Sequence, residues 1–245
     1  MNIRYFKEPS ANLGRDMEFK VFGDGGKLCL GFPPQNGRFY DLENFSMTES
    51  VRPWLDSGRL MLVCADGIDG ETWSASGDPR ARIELHERWF RYVTEELLPR
   101  ARQLGDTHGK AMTTGCSMGA FHAANFFFRR PDLFDTVVAL SGVYDAGFFF
   151  HGYMDDLVYN NSPLHYLRNL PADHPYRGLY ANSRIILCVG QGAWEDDMLD
   201  NTRRMDELLY RQNIPAWVDY WGWDVNHDWC WWQKQLPYFM DKLAL

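Results

Sequence analysis

The sequence predicts an α/β protein with three layers: a mostly parallel sheet, antiparallel at its N-terminal strands, with helices on both faces. Two features predict it. Short apolar runs alternate with longer stretches of helical period, as in chains built from strand–helix–strand units. The runs are also mostly apolar throughout, as strands covered on both faces are. At 245 residues the chain fits a single domain, 1–245, with enough buried surface to need no covalent staple.

Taken in order, Asp16–Phe22 leads through Gly23-Asp24-Gly25-Gly26 to the run Leu28–Phe32. A glycine-rich turn between two such runs reads as a hairpin and places antiparallel strands at one edge. Leu60–Ala65 is the next run. Pro79–Leu104 reads as a helix, with Ile83, Trp89, Phe90, Val93, Leu97 and Leu98 near a 3.6-residue period and Gly105 as its stop. Ala111–Thr114 reads as a strand, Met118–Arg130 as a helix ended by Pro131, and Thr136–Leu140 as a strand. Residues 145–180 break the alternation, mixing aromatics, Asn, Pro and Gly without a period. They read either as a meandering connection or as a small cap over the carboxyl edge of the sheet. Arg184–Val189, a helix over Asp197–Gln212, the run Ala216–Trp221 and a terminal helix complete the pattern.

Composition narrows function by exclusion. A net charge of −8 with no Lys/Arg run repels a phosphate backbone, so nucleic acid is not an expected partner. No stretch of 18 apolar residues and no apolar N-terminal segment occurs, which points to a cytoplasmic chain with no membrane partner. Cys29, Cys64, Cys116, Cys188 and Cys230 are odd in number and widely spaced, without a CxxC pair, which argues against a disulfide framework and a metal site. An acidic chain with ten Trp permits a homo-oligomer without requiring one.

The sharpest local feature is Thr114-Gly115-Cys116-Ser117-Met118-Gly119-Ala120, a G-x-S-x-G motif between a strand and a helix. A nucleophilic serine at such a turn sits in a strained backbone, so its neighbours two residues away must be small. The following helix then aims its N-terminal amides at a developing oxyanion. The bland alternative is a glycine-rich turn with an incidental serine. A nucleophilic serine needs a base and an acid, in the chain order Ser, Asp/Glu, His. Among the seven histidines, His227 follows the last strand run and precedes the terminal helix, where a base belongs. His151, His165 and His174 lie in the irregular segment, and His122 on the helix after Ser117. The acid should follow Arg184–Val189, where Glu195, Asp196 and Asp197 stand together. Glu195 is the first choice and Asp196 the alternative, the others serving as first-turn acids of the next helix. One oxyanion donor is the Met118 amide. For the second, Pro33 and Pro34 have no N–H, which leaves Gln35 as the first donor after its strand. Asp66, Asp145 and Asn161 fall at or after strand ends, where α/β folds present ligand contacts. Tyr153, Trp194 and Trp229 are aromatic candidates for a substrate rim, although most such residues fill cores.

These residues resemble α/β-hydrolases of the esterase D type, related to S-formylglutathione hydrolase, feruloyl esterases, enterochelin esterases and mycolyltransferases. The likeness runs from Leu13-Gly14-Arg15-Asp16-Met17 through Phe32-Pro33, Gly37-Arg38-Phe39, Glu95-Glu96-Leu97-Leu98-Pro99 and Gly115-Cys116-Ser117-Met118-Gly119. It continues in Pro131-Asp132-Leu133-Phe134, Leu140-Ser141-Gly142 and His227-Asp228-Trp229. A closer likeness is to an uncharacterised esterase subgroup with Phe-Pro and Trp-Glu-Asp signatures. Two departures stand out: Phe32-Pro33-Pro34 replaces the usual His-Gly oxyanion motif, and the acid follows Gly192-Ala193-Trp194. The resemblance implies hydrolysis of a small-molecule carboxylic ester or thioester through a Ser117 acyl-enzyme, with no cofactor. The competing expectations are acyl transfer by the same triad, or a binding module that kept a hydrolase shell.

Overall fold

A computed structural model describes all 245 residues. The strands are β1 (Ile3–Ser10), β2 (Arg15–Phe22), β3 (Lys27–Phe32), β4 (Leu60–Ala65), β5 (Ala111–Cys116), β6 (Phe134–Leu140), β7 (Arg184–Val189) and β8 (Trp217–Tyr220). They form one sheet in the order β1-β2-β4-β3-β5-β6-β7-β8. All pairings from β4 to β8 are parallel, while β2 runs antiparallel to both β1 and β4.

Period-two alternation within the apolar runs builds the three layers. Leu28, Leu30 and Phe32 of β3 join Trp89, Phe126, Met205 and Leu208 from the helices Pro79–Arg91, Met118–Arg129 and Asp196–Arg211. Cys29, between them in sequence, faces the other way, with Cys64 and Cys188, against Trp54, Leu236 and Phe239. The last two belong to the terminal helix Trp229–Leu243. All five cysteines are free thiols.

The glycine turn does not make the expected hairpin. β2 pairs with β1 on one side and β4 on the other, so β3 lies one strand away from β2. The turn instead carries the chain past the start of β4. Gly26 adopts φ +82°, and a Cβ there would lie 2.3 Å from the Arg59 carbonyl carbon, a crossing only glycine makes. The long helix also departs from a uniform α form. Tyr92–Leu97 is a π turn between Pro79–Arg91 and Leu98–Gly105. It lies just ahead of Pro99, which lacks an N–H and whose ring clashes with the carbonyl four residues back.

Four short helical turns, from Ala146 to Ala181, lie between β6 and β7. Ala146, Phe150 and Val158 from this segment pack with Trp73, Met118 and Phe121, against the start of the helix after Ser117. No helix is long and apolar enough to cross a membrane.

A buried polar network ties the helices Pro79–Arg91 and Met118–Arg129 together. His86 Nδ1 accepts from Trp73 Nε1 at 2.9 Å, so Nε2 carries the proton and donates to Asn161 Oδ1 at 3.1 Å. Burial, followed by the influence of His122 and Arg129, holds the His86 imidazole well below its ordinary 6.5. Below that pH the unfolded chain binds a proton that the native chain refuses, so this stability is complete above it and lost as pH falls. The melting temperature of the wild type is therefore expected to drop from about pH 7 to about pH 5. His86→Gln should start lower and drop less steeply. Parallel slopes for the two proteins would rule out His86 as the source.

Candidate active site

Ser117 stands between β5 and the helix Met118–Arg129 with φ +58° and ψ −123°, a region serines occupy only when their surroundings impose it. Its amide donates to the Leu140 carbonyl of β6 at 2.9 Å. The small neighbours are required sterically: a Cβ on Gly115 would come within 2.3 Å of Gly119 O, and one on Gly119 within 2.2 Å of Phe32 O. That second approach draws the end of β3, and the turn after it, against the helix N-terminus. Met118 is the first helical residue, so its amide lies ahead of the intrahelical ladder. The exposed Gln35 amide donates to no protein acceptor. Asn36 beside it is held by Ser74 at 2.5 Å.

The loops after β7 and β8 are laced together. Gly192 N donates to Val225 O at 2.8 Å, Ala193 N to Asn226 Oδ1 at 2.8 Å, and His227 N to Ala193 O at 3.0 Å. This lacing carries two side chains to Ser117. His227 Nε2 lies 2.9 Å from Ser117 Oγ, and His227 Nδ1 lies 3.3 Å from Glu195 Oε2. Glu195 is 1% exposed, although Asp196 and Asp197 beside it are exposed in the first turn of their helix. The sequence did not single out two further groups. Ser141, with φ +57° at the end of β6, donates to Glu195 Oε1 at 2.6 Å. Trp232 Nε1 donates to Ser141 Oγ at 3.1 Å, and its ring stands perpendicular to the His227 ring, centroids 4.9 Å apart. A lone serine at a strand end has no local signature, so only its place in Leu140-Ser141-Gly142 could have drawn attention.

The remaining candidates scatter. Asp66 is buried and bonded to Arg38 Nε at 2.6 Å, and burial pushes its carboxyl up while Arg38 offsets this. With Asn36, Arg38 and Asp69 it lines a polar crevice of about 550 Å³ beside the Gln35 turn. Asp145 caps the turn at Gly147 and pairs with Arg204, while Tyr153 donates to Asp155. Trp194 is 82% exposed at φ +67°, on the loop next to Glu195. Trp229 stacks face to face on Phe45 at 4.3 Å. Asn161 must be corrected. It is fully buried, with bonds from His86, Asn125 and Arg129 and to Glu87, and it has no free polar atom to offer a ligand. His122 is also buried, paired with Asp69 at 2.8 Å.

A family model described as "Putative esterase" matches residues 36–242. Curated protein sequences give no significant match. Among solved structures, S-formylglutathione hydrolase from Agrobacterium tumefaciens superposes with a TM-score of 0.78 at 15% identity, over 99% of this chain and 94% of that one. The Staphylococcus aureus fluorophosphonate-binding serine hydrolase FphF gives 0.76 at 15% identity, over 100% and 98%. A ferulic acid esterase from the anaerobic fungus Anaeromyces mucronatus gives 0.71 at 13% identity, over 97% and 88%. At these identities the likeness shows the α/β-hydrolase fold.

Proposed function

The chain belongs to the esterase family whose model it matches, and we propose that it hydrolyses a carboxylic ester or thioester through an acyl-enzyme on Ser117. The observation that carries this reading is the 2.9 Å approach of His227 Nε2 to a serine held at φ +58° on a strand–helix turn. In the first half-reaction His227 takes the Ser117 proton as Oγ attacks the carbonyl carbon, then returns it to the leaving alcohol or thiol. Glu195 accepts from His227 Nδ1 and stabilises the imidazolium. The Met118 and Gln35 amides receive the oxyanion at the positive end of the helix, each such donor lowering the barrier by about 3 kcal/mol. Water activated by His227 then releases the acid.

The polar crevice lined by Asn36, next to Gln35, and the exposed Trp194, next to Glu195, are the candidate substrate contacts. Intact mass after treatment with a fluorophosphonate tests the reading. One covalent adduct on the folded wild type is expected, mapped to Ser117 by peptide mass. A folded protein that forms none would overturn it in favour of a binding role.

A further inference from the structure

A buried carboxylate that gives one oxygen to a histidine has a second oxygen to satisfy. For Glu195 that partner is Ser141, and the partner of Ser141 is Trp232. The direction of each bond follows from what the groups own. An indole N–H can only donate, so Ser141 Oγ accepts from Trp232 and directs its single proton to Glu195 Oε1. With Oε1 engaged, Oε2 is the oxygen turned to His227, and the imidazole must carry its proton on Nδ1 to reach it. Nε2 is then the bare nitrogen that faces Ser117 Oγ. We infer that Ser141 and Trp232 are positioning residues that orient Glu195 and so hold His227 in the tautomer able to accept the Ser117 proton. The inference rests on the serine-esterase reading above.

Three further features fit this role. Ser141 keeps a left-handed backbone, φ +57°, anchored by its amide on Cys188 O at 2.7 Å; such a conformation persists only where its surroundings impose it. Glu has one more rotatable bond than Asp, so an acid of this length gains more from a second clamp. Trp232 also stands edge-on to the His227 ring, so one side chain both packs the base and orders its acid.

The test compares Ser141→Gly, Trp232→Phe and the double variant, with kcat and KM measured separately on a p-nitrophenyl ester. Glycine suits the positive φ and removes the hydroxyl together with its Cβ; phenylalanine keeps one aromatic ring and removes the indole N–H. Ser141→Gly is expected to lower kcat by about 10- to 100-fold, with KM within about twofold. Trp232→Phe should lower kcat by about 3- to 10-fold, and the double variant should be no slower than Ser141→Gly, since the two form one chain of bonds. Unchanged kcat in Ser141→Gly, a loss confined to KM, or losses that multiply in the double variant would overturn the inference. If Ser141→Gly does not fold, unchanged kcat in Trp232→Phe does the same. A wild type that takes the phosphonate while the variants keep full kcat overturns this inference alone; a wild type that takes none overturns both.

Discussion

Ser117→Ala is expected to lower kcat/KM for ester hydrolysis by about 10⁵- to 10⁶-fold, the scale seen when a triad nucleophile is removed and only oxyanion and binding contributions remain. Alanine occupies the same backbone position, so the thermal melt should change little. Ser117→Gly separates chemistry from strain. It should be as inactive, yet the residue at φ +58° and ψ −123° would no longer carry a side chain in a region that costs about 1–3 kcal/mol. Its melting temperature should therefore rise by roughly 2–10 °C for a domain of this size. Activity and stability then move in opposite directions at one atom's distance from the chemistry. Activity within tenfold of wild type in both variants would remove Ser117 as nucleophile.

The sequence exposed some parts of this molecule more readily than others, and the division is physical. β4 and β7 coincide with apolar runs because covering both faces removes the polar alternation that would blur their ends. β1 leaves little trace in the sequence: it is an edge strand whose residues mostly alternate between exposed and half-buried, and Lys7, Glu8 and Pro9 carry no apolar signal. Gly23–Gly26 marks a turn in the sequence, but the strand it leads to, β3, is not a neighbour of β2. Local glycine chemistry specifies that the chain bends, whereas the choice of β1 and β4 as neighbours of β2 is made by long-range packing.

The candidate site divides in the same way. Ser117 and His227 stand out in the sequence because strained turns and strand-end loops impose residue types at fixed offsets, and their side chains come within 2.9 Å of each other. Glu195 stood among three carboxylates, and only burial separates it from its neighbours. Ser141 was invisible as a site residue because its meaning lies in a partner 54 positions away. Asn161 shows the converse: a polar residue near a strand end serves a buried network as readily as a ligand.

Glu195→Gln is expected to lower kcat by about 10⁴-fold, as when a triad acid is replaced by its amide. The surroundings of Glu195 explain why so small a change should cost so much. The Ser141 proton points at Oε1, and an amide meets it with its carbonyl oxygen. That choice turns the NH₂ toward His227 Nδ1, and because NH₂ only donates, Nδ1 must be bare. The imidazole proton moves to Nε2, where it faces Ser117 Oγ and blocks the acceptance that starts catalysis. Asp196→Asn and Asp197→Asn provide the contrast. Both carboxylates are exposed at the start of the helix Asp196–Arg211, so each should keep kcat within about twofold and lose only about 0.3–1 kcal/mol of helix-dipole stabilisation. A Glu195→Gln enzyme that kept a tenth of wild-type kcat would take the acid role from Glu195. A comparable loss in Asp196→Asn would transfer the role to its neighbour, and the wiring through Ser141 would then be structural alone.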